Sequence, residues 1–331
     1  MIKCGIIGYG KMGKIRAQAL EASGQAMVSC VYDKFLTGAV PYRVAETPEE
    51  IIHSSDIDAV IICTPNYLIP DLCIKSLEVG KHVFSEKPPG INADDVKRVM
   101  DAEKVATKKL MYGFNHRHHK SIKNMKRIVD SGELGRVLWM RGRYGKEVDE
   151  KFFEGWRADP KLAGGGILLD QGIHMLDLFL HLGSTFDQVS AFVSNLYWKI
   201  NGIEDNVFAI YRNTHTGLCA SLHSTMTQWR YLFSLEVFLE GGALVLNGLK
   251  TSSGAYGDEH LIVKRNASHL HDGRFEAEES VVYHHDTSWN SEMRHFIDCI
   301  ETDSQVRYGN SADALELMQL VDATYASNSK C

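Results

Sequence analysis

The sequence predicts an α/β protein with a doubly wound parallel sheet in its N-terminal part, followed by an α+β part with a mainly antiparallel sheet. Two observations predict this division. Up to about residue 115, short apolar runs alternate with amphipathic stretches, which is the pattern of parallel strands joined by helices. From about residue 188 onward, strand-like segments follow one another with short connections containing Gly, Asn or Thr, which is typical of antiparallel pairing.

The first part contains the apolar runs that we expect to be buried parallel strands. They lie at residues 4–7, 27–32, 59–63, 82–85 and 110–114. Amphipathic stretches at residues 12–22, 71–79 and 93–107 separate them and are expected to form connecting helices.

The second part begins with a predicted helix at 122–131, a strand at 137–144 and a helix at 167–182. The strand-like segments that follow are residues 188–198, 206–212, 218–225, 232–239, 244–247, 261–264 and 280–284. Two final helices are predicted at 290–301 and 312–326, and the last is expected to pack back on the first domain. The predicted domains are therefore 1–118 and 119–310, with a C-terminal helix within 311–331.

A glycine-rich turn follows the first predicted strand. Its sequence is Gly8-Tyr9-Gly10-Lys11-Met12-Gly13. Gly8 permits the tight turn, Gly10 lets the backbone approach a pyrophosphate, and Gly13 lets the next helix pack on the strand. The helix N-terminus offers free N–H groups to the phosphates. With a strand before it and a helix after it, this turn predicts a Rossmann dinucleotide-binding domain, although a glycine turn without a ligand is the alternative.

Asp33 ends the second predicted strand, twenty residues after Gly13. An acid there would accept a hydrogen bond from the ribose 2′-hydroxyl of a dinucleotide and repel a 2′-phosphate. The sequence therefore predicts NAD, with NADP less favoured. Lys34 is the next residue and would partly soften that repulsion.

Composition disfavours several other classes of protein. A formal net charge of −6 gives no support for binding nucleic acid or an anionic membrane. The most apolar stretch, residues 167–182, is interrupted by Asp170, His174 and Asp177, so no membrane span is expected. The N-terminus runs directly into a predicted strand, so no signal segment is expected. Seven cysteines without a C-x-x-C pair indicate reduced thiols and a cytoplasmic protein.

Lys87 lies directly after a predicted parallel strand, in Ser85-Glu86-Lys87-Pro88-Pro89. Ligands of open α/β sheets bind beyond the carboxyl ends of the strands. A lysine here is therefore expected to face the nicotinamide end of the cofactor, and the prolines limit its freedom. A solvated surface lysine is the alternative.

Asp170 and His174 lie on a mostly apolar helix that three glycines, at 164–166, precede. The two side chains are one helical turn apart. Buried polar groups are costly unless they are paired or used, and a carboxylate beside an imidazole fixes its tautomer and raises its basicity. The pair therefore predicts a general acid or base. Asp177 and His181 continue the stripe, but one helix face rarely completes a zinc site, so no metal is expected.

Five motifs in this order resemble the Gfo/Idh/MocA family, named for glucose–fructose oxidoreductase, inositol dehydrogenase and rhizopine catabolism. They are residues 8–13, Thr64-Pro65-Asn66, Glu86-Lys87-Pro88, Gly113-Phe114-Asn115-His116-Arg117 and residues 164–174. The chain departs from the family pattern at Ile69, where a histidine is common, and at Pro89-Gly90.

The resemblance implies an N-terminal Rossmann domain and an open-faced antiparallel sheet that binds substrate and forms subunit contacts in a homodimer or homotetramer. It implies that Lys87, Asp170 and His174 are the catalytic set. The expected cofactor contacts are Gly8, Tyr9, Gly10, Lys11, Met12, Gly13, Asp33, Thr64, Pro65, Asn66, Glu86, Lys87 and Asn115. The expected substrate contacts are Lys87, Asn115, Arg117, Trp156, Arg157, Asp170 and His174.

The predicted activity is reversible hydride transfer between NAD and a secondary alcohol carbon of a sugar, polyol or nucleotide sugar. Lys87 and His174 would both address the reacting oxygen, and Asp170 would orient His174. Arg141 and Arg143 share one strand face by two-residue alternation and could meet an anionic group, or could face solvent or another subunit. The alternatives are an NAD-retaining glycoside hydrolase, a non-catalytic NAD-binding sensor and, more weakly, a tetrapyrrole reductase.

Overall fold

A computed structural model describes residues 1–266 and 278–328 of the chain. These residues form two compact units. Unit 1 comprises Met1–His118, Lys161–Gly164 and Thr287–Gln319, and unit 2 comprises the described residues within His119–Pro160, Gly165–Asp286 and Leu320–Cys331.

Unit 1 contains a parallel sheet of six strands. They are β1 (Ile2–Ile7), β2 (Ala26–Tyr32), β3 (Arg43–Val44), β4 (Ala59–Ile62), β5 (His82–Glu86) and β6 (Leu110–Gly113), in the order β3-β2-β1-β4-β5-β6. This is the order of the doubly wound dinucleotide-binding fold, so the predicted fold class is confirmed. The edge strand β3 was not predicted, because two residues are too few to show a hydrophobic period.

Nine α-helices lie in the described ranges. They are α1 (Lys11–Ala22), α2 (Pro48–His53), α3 (Ile69–Glu78), α4 (Ala93–Val105), α5 (Lys120–Ser131), α6 (Pro160–Ala163), α7 (Ile173–Leu182), α8 (Ser288–Glu301) and α9 (Ser311–Asn328). Sequence analysis missed α2, whose start is marked by Thr47: its Oγ1 accepts a hydrogen bond from the Glu50 amide at 3.3 Å.

Helix α8 belongs to the core of unit 1. Its Phe296 and Ile297 are buried together with Ala17 and Leu20 of α1 and with the apolar residues of the sheet. Residues 287–310, which we predicted in the second domain, therefore group with unit 1.

Unit 2 contains an eight-stranded sheet. Its strands are β7 (Val137–Glu147), β8 (Gln188–Ser194), β9 (Asn206–Arg212), β10 (Cys219–Thr225), β11 (Thr227–Leu239), β12 (Gly242–Asn247), β13 (Glu259–Arg265) and β14 (Glu279–Tyr283). The order is β14-β13-β12-β11-β7-β10-β9-β8, and every neighbouring pair is antiparallel except β7 and β10. The predicted mainly antiparallel sheet is confirmed.

The helix predicted at 167–182 begins with a wider turn than expected. Residues Leu168–Gly172 form a π-helical turn, and α7 continues from Ile173. Asp170 therefore lies in the π turn and His174 lies in α7, so the simple four-residue α-helical spacing between them is interrupted. Such π turns are frequent at functional sites.

The last helix, α9, is divided between the two units. Asp313 near its start accepts a hydrogen bond from Arg117 within unit 1. Thr324 and Tyr325 bond Tyr211 and Glu204 within unit 2. The predicted domain boundaries and the packing of this helix on the first domain stay predictions.

No helix in residues 1–266 and 278–328 is long and apolar enough to cross a membrane. The described cysteines are free thiols at positions 4, 30, 63, 73, 219 and 299. The cytoplasmic location stays a prediction.

Candidate active site

The glycine turn after β1 has the geometry that a phosphate-binding loop needs. Gly8 has φ +94°, and a Cβ on it would lie 2.5 Å from the carbonyl oxygen of Cys63, which follows β4. A Cβ on Gly13 would lie 2.2 Å from the Gly8 carbonyl oxygen. Side chains at either position would therefore displace the backbone of the turn. Gly10 is the N-cap of α1 and supplies no side-chain cap, so the first N–H groups of α1 are available to an anion.

Asp33 lies beside this turn, at the end of β2. One carboxylate oxygen accepts a hydrogen bond from the Phe35 amide at 2.8 Å, which fixes the side chain. The other lies 4.0 Å from the position of a Cβ on Gly10. This arrangement fits a dinucleotide whose pyrophosphate lies on the glycine turn and whose ribose faces Asp33.

Thr64-Pro65-Asn66 follows β4, next to the glycine turn. Thr64 Oγ1 is buried and has no hydrogen-bond partner within the ranges that the structure describes, which suits contact with a bound ligand. Asn66 is buried, and its Nδ2 donates to the carbonyl oxygen of Ala163 at 2.8 Å. Asn66 thus anchors the segment that leads into the three glycines, and its cofactor contact stays a prediction.

Lys87 is half-buried directly after β5, as the sequence predicts. The residue before it, Glu86, is buried and accepts a hydrogen bond from Nε of Arg16 at 2.6 Å. Glu86 therefore fixes the end of the strand from which Lys87 extends. The Lys87–Pro88 peptide bond is cis.

Two further predicted contacts lie after β6. The side chain of Asn115 donates to Ser288 Oγ at 3.4 Å and contacts the His116 ring at 3.1 Å. Arg117 is buried, and its guanidinium donates to Asp313 at 2.8 Å. Both side chains thus have partners within unit 1, and their substrate and cofactor contacts stay predictions.

In unit 2, two cationic side chains approach the Asp170 carboxylate. Lys146 donates to Asp170 Oδ2, and Arg157 Nε lies 3.6 Å from Asp170 Oδ1. Arg157 also lies over the Trp156 ring, 4.5 Å from its centroid. The predicted residues Trp156, Arg157 and Asp170 are therefore brought together. That Asp170 orients the His174 imidazole stays a prediction.

Sequence reasoning missed Lys146. Residues 140, 142, 144 and 146 share the inner face of β7 by two-residue alternation, and a Cβ on Gly142 would lie 2.3 Å from Met175 of α7. That alternation is the signal that could have placed Lys146 toward the helix.

His174 is 7% exposed and lies among aromatic side chains. Its ring centroid is 6.2 Å from that of Tyr144, and Tyr144 lies 5.3 Å from Tyr256. Gln171 donates to the Tyr256 hydroxyl at 2.6 Å. Burial, followed by the charges of Tyr256 and Asp170, raises the pKa of Tyr144 well above its usual value. Tyr144 is therefore a neutral phenol at working pH.

The glycines before this helix are held by Glu204, which sequence reasoning also missed. The Glu204 carboxylate accepts from the Gly166 amide at 2.6 Å and from the Leu168 amide at 2.9 Å. A Cβ on Gly166 would lie 2.1 Å from the Glu204 carbonyl oxygen, which explains the glycine. Burial raises the pKa of Glu204, although these amide hydrogen bonds oppose it.

Arg141 and Arg143 lie on the other face of β7. Arg141 forms a two-oxygen ion pair with Glu236 of β11, with an Nη2–Oε2 distance of 2.7 Å. They thus face away from the helix that carries His174. No group of three or more His, Cys, Asp or Glu side chains that could hold a metal ion occurs in the described part of the chain.

The fold and these side chains define a dinucleotide-binding protein whose Rossmann domain is followed by an antiparallel sheet domain. A profile described as an oxidoreductase family with an NAD-binding Rossmann fold matches residues 2–114, and one described as a GFO/IDH/MocA C-terminal domain matches residues 122–245. The chain belongs to the Gfo/Idh/MocA oxidoreductase family. The predicted family and the NAD cofactor are confirmed.

Individual relatives are dehydrogenases. The chain is 30% identical over 210 residues to levoglucosan dehydrogenase from Pseudarthrobacter phenanthrenivorans, covering 58% of this chain and about half (54%) of that protein. It is 26% identical to myo-inositol 2-dehydrogenase from Thermotoga maritima, covering 78% of this chain and 79% of that protein.

Solved structures show the same fold at low sequence identity. Levoglucosan dehydrogenase in complex with NADH superposes with a TM-score of 0.85 at 22% identity, over 99% of this chain and 97% of that one. The WlbA dehydrogenase from Bordetella pertussis, in complex with NADH and UDP-GlcNAcA, superposes with a TM-score of 0.83 at 22% identity, over 99% and 96% of the two chains.

Proposed function

We propose that this protein is an NAD-dependent dehydrogenase that oxidises a secondary alcohol of a sugar, polyol or nucleotide sugar, or reduces the corresponding ketone. The observation that carries the proposal is the arrangement around Asp170. Unit 2 brings this carboxylate together with the cations Lys146 and Arg157. The aromatic ring of Tyr144 lies next to His174 in the same part of unit 2. Aromatic faces and charged hydrogen-bonding groups together suit a polyhydroxylated ligand.

The residues of unit 1 would hold the cofactor. The glycine turn and the start of α1 would receive the pyrophosphate, Asp33 the ribose, and Thr64 the neighbouring part of the dinucleotide. When bound, NAD+ supplies a hydride acceptor, and NADH supplies a hydride donor.

Lys87 and His174 would address the oxygen of the reacting alcohol. In the oxidation direction, one of the two accepts the hydroxyl proton, while the carbon that bears this hydroxyl gives up a hydride to NAD+. The other donates a hydrogen bond that stabilises the negative charge developing on the oxygen. Asp170 would accept a hydrogen bond from a substrate hydroxyl or from the His174 imidazole.

The experiment that tests the proposal is an NAD+ reduction screen. Levoglucosan and myo-inositol come first because relatives are named for them, followed by aldoses, uronic acids and UDP-sugars. NADH formation is followed by absorbance. We expect one class to be oxidised by the wild type, and Lys87→Met and His174→Ala to abolish turnover while NADH binding, followed by fluorescence, is retained.

Other results would point to other functions. Release of free sugar from a glycoside without net NADH would indicate an NAD-retaining glycoside hydrolase. NADH binding without turnover of any class would indicate a non-catalytic sensor. Near-normal turnover by either variant would refute the assigned roles.

We also propose that the protein forms a homodimer or homotetramer through the outer face of the eight-stranded sheet. Large apolar side chains are exposed there, including Phe192, Phe208 and Ile210, with Trp229 near the sheet end. Apolar side chains gathered on one sheet face are typical of an interface.

A further inference from the structure

Lys146 is the inner-face residue at the end of β7, two positions after Tyr144. Its ammonium group and the Asp170 carboxylate form an ion pair, and their side chains are 17% and 19% exposed. An ion pair that is largely removed from solvent is screened less than a surface pair. The pair therefore influences both the charge and the orientation of Asp170.

Arg157 approaches the other carboxylate oxygen, but it does so from a more exposed position. Its Nε–Oδ1 distance is 3.6 Å, and its side chain is 47% exposed. Lys146 makes the closer contact, and its ammonium also lies 5.3 Å from the centre of the Phe152 ring. We therefore expect Lys146, rather than Arg157, to dominate the electrostatics of Asp170.

Besides His174 four residues later on the same helical segment, charged and titratable groups that face Asp170 come from at least three other segments. Lys146 and Tyr144 lie on β7, Arg157 lies in the short helical turn Trp156–Ala158, and Tyr256 lies in the loop before β13. Burial is the main cause that raises the pKa of both tyrosines, and the charge of Asp170 contributes in the same direction. With both phenols neutral, Lys146 and Arg157 are the two cations that oppose the negative charge of Asp170.

We propose that Lys146 is a positioning residue for the reaction, which holds Asp170 ionised and in one orientation. The inference rests on the proposed dehydrogenase function and extends it to a residue outside the predicted catalytic set. An ionised carboxylate only accepts hydrogen bonds, so the group that Asp170 meets must be a donor, such as a substrate hydroxyl or an imidazole N–H. Without Lys146, Asp170 would protonate at higher pH and could then act as a donor.

The test compares Lys146→Met with Lys146→Arg. The first removes the charge and keeps the side-chain length, and the second restores a cation. A matched control is Lys126→Met, which removes the lysine of another ion pair of unit 2, with Asp130 at 2.5 Å on α5. Thermal unfolding checks that each variant is folded.

The first readout needs no turnover. The Asp170 carboxyl is titrated by NMR in protein labelled at the aspartate carboxyl carbons, with its resonance assigned from Asp170→Asn. We expect Lys146→Met to raise the pKa of Asp170 by about 1 or more, and Lys146→Arg and Lys126→Met to leave it near the wild-type value. An unchanged Asp170 pKa in folded Lys146→Met overturns the proposal.

The second readout uses the substrate found in the screen. We expect Lys146→Met to lower kcat by about tenfold or more, since a misplacement of about 1 Å in a reacting group can cost about 10²-fold, with KM for NAD+ unchanged. The acid limb of the pH profile of kcat/KM should move to higher pH, and Lys146→Arg should restore it. A raised pKa with an unchanged kcat and pH profile overturns the positioning role.

Failure of the proposed function is distinguishable from failure of this inference. If the wild type oxidises no substrate, the dehydrogenase function fails, and the positioning role falls with it even when the carboxyl titration shows the ion pair. If the wild type is active and Lys146→Met matches it, only the inference fails.

Discussion

Arg16 and Glu86 form an ion pair in the core of unit 1, with an Nε–Oε1 distance of 2.6 Å and no solvent exposure of the Arg16 side chain. A second carboxylate, that of Glu292 on α8, lies 2.5 Å from Arg16 Nη1. Phe84 and Trp289 cover the guanidinium at 4.4 and 4.7 Å from their ring centroids. Burial alone would lower the pKa of Arg16, but Glu292 and Glu86 raise it. Arg16 thus joins α1, the end of β5 and α8.

Replacing Arg16 should destabilise unit 1. Arg16→Met leaves two buried carboxylates without their cation, so we expect the free energy of unfolding to fall by about 3–5 kcal/mol. Urea unfolding followed by circular dichroism measures the change. Lys14→Met, an exposed change on the same helix, is the control and should alter stability by less than about 0.5 kcal/mol. A loss below about 1 kcal/mol for Arg16→Met would show that the pair contributes little.

His82, at the start of β5, should make stability depend on pH. Burial, followed by the charges of Lys108 and Lys109, lowers the pKa of His82 to about 4, and its Nδ1 accepts a hydrogen bond from the Lys109 amide at 3.1 Å. Because the folded pKa lies below the unfolded value of about 6.5, the unfolded chain binds a proton first as pH falls. The contribution of the neutral His82 side chain to the free energy of unfolding is therefore complete above pH 6.5 and is lost as pH falls from about 6.5 to about 4.

The measurement compares wild type with His82→Asn, whose side-chain oxygen can accept the same hydrogen bond. We expect the stability of the wild type relative to the variant to fall by about 1–2 kcal/mol between pH 7 and pH 4.5. A difference that stays constant over this range would contradict a depressed His82 pKa.

Both sheets were predictable from the sequence because their signal is local. Buried parallel strands such as β4 are continuous apolar runs, and strands such as β9 alternate buried and exposed residues. The glycine turn and Asp33 were predictable for the same reason, since they lie within one βαβ unit.

The partners of the site residues were not predictable, because they come from distant parts of the chain. Lys146 and Asp170 meet only because β7 presents its inner face to α7, and Glu204 reaches the glycines from the loop before β9. In the sequence, Arg16 is likewise one polar residue on a predicted helix. Its hydrogen bond to Glu292, 276 residues away, forms only in the folded protein. Sequence periodicity shows which face is buried, but it does not show which charged groups meet there.

Asp33 should set the preference for NAD over NADP. Asp33→Asn keeps an oxygen that can accept from the Phe35 amide, but it removes the charge that would repel a 2′-phosphate. Two like charges about 4 Å apart near a surface interact by about 1–4 kcal/mol. We therefore expect the ratio of the Kd values for NADP+ and NAD+ to fall by about tenfold or more.

Calorimetric titration with each dinucleotide measures the Kd values. Lys34→Met is the opposing control: it removes the neighbouring cation and should weaken NADP+ binding more than NAD+ binding. If Asp33→Asn leaves the ratio unchanged, another group sets the cofactor preference.

The outer face of the eight-stranded sheet should carry the subunit contact. On this face, Ile210 of β9 is 60% exposed and Phe192 of β8 is 62% exposed. The rings of Trp139 and Phe238 stack on the same face, with 4.0 Å between their centroids. A charge placed among these side chains would be desolvated without a partner if another subunit covers them. We therefore expect Ile210→Glu to shift the wild-type dimer or tetramer toward smaller species in sedimentation velocity. Val105→Glu, at an 83% exposed position in unit 1, should leave the sedimentation unchanged. A wild type that sediments as a monomer at micromolar concentration would show that there is no such subunit contact. An Ile210→Glu variant that assembles normally would show that the contact lies on another surface.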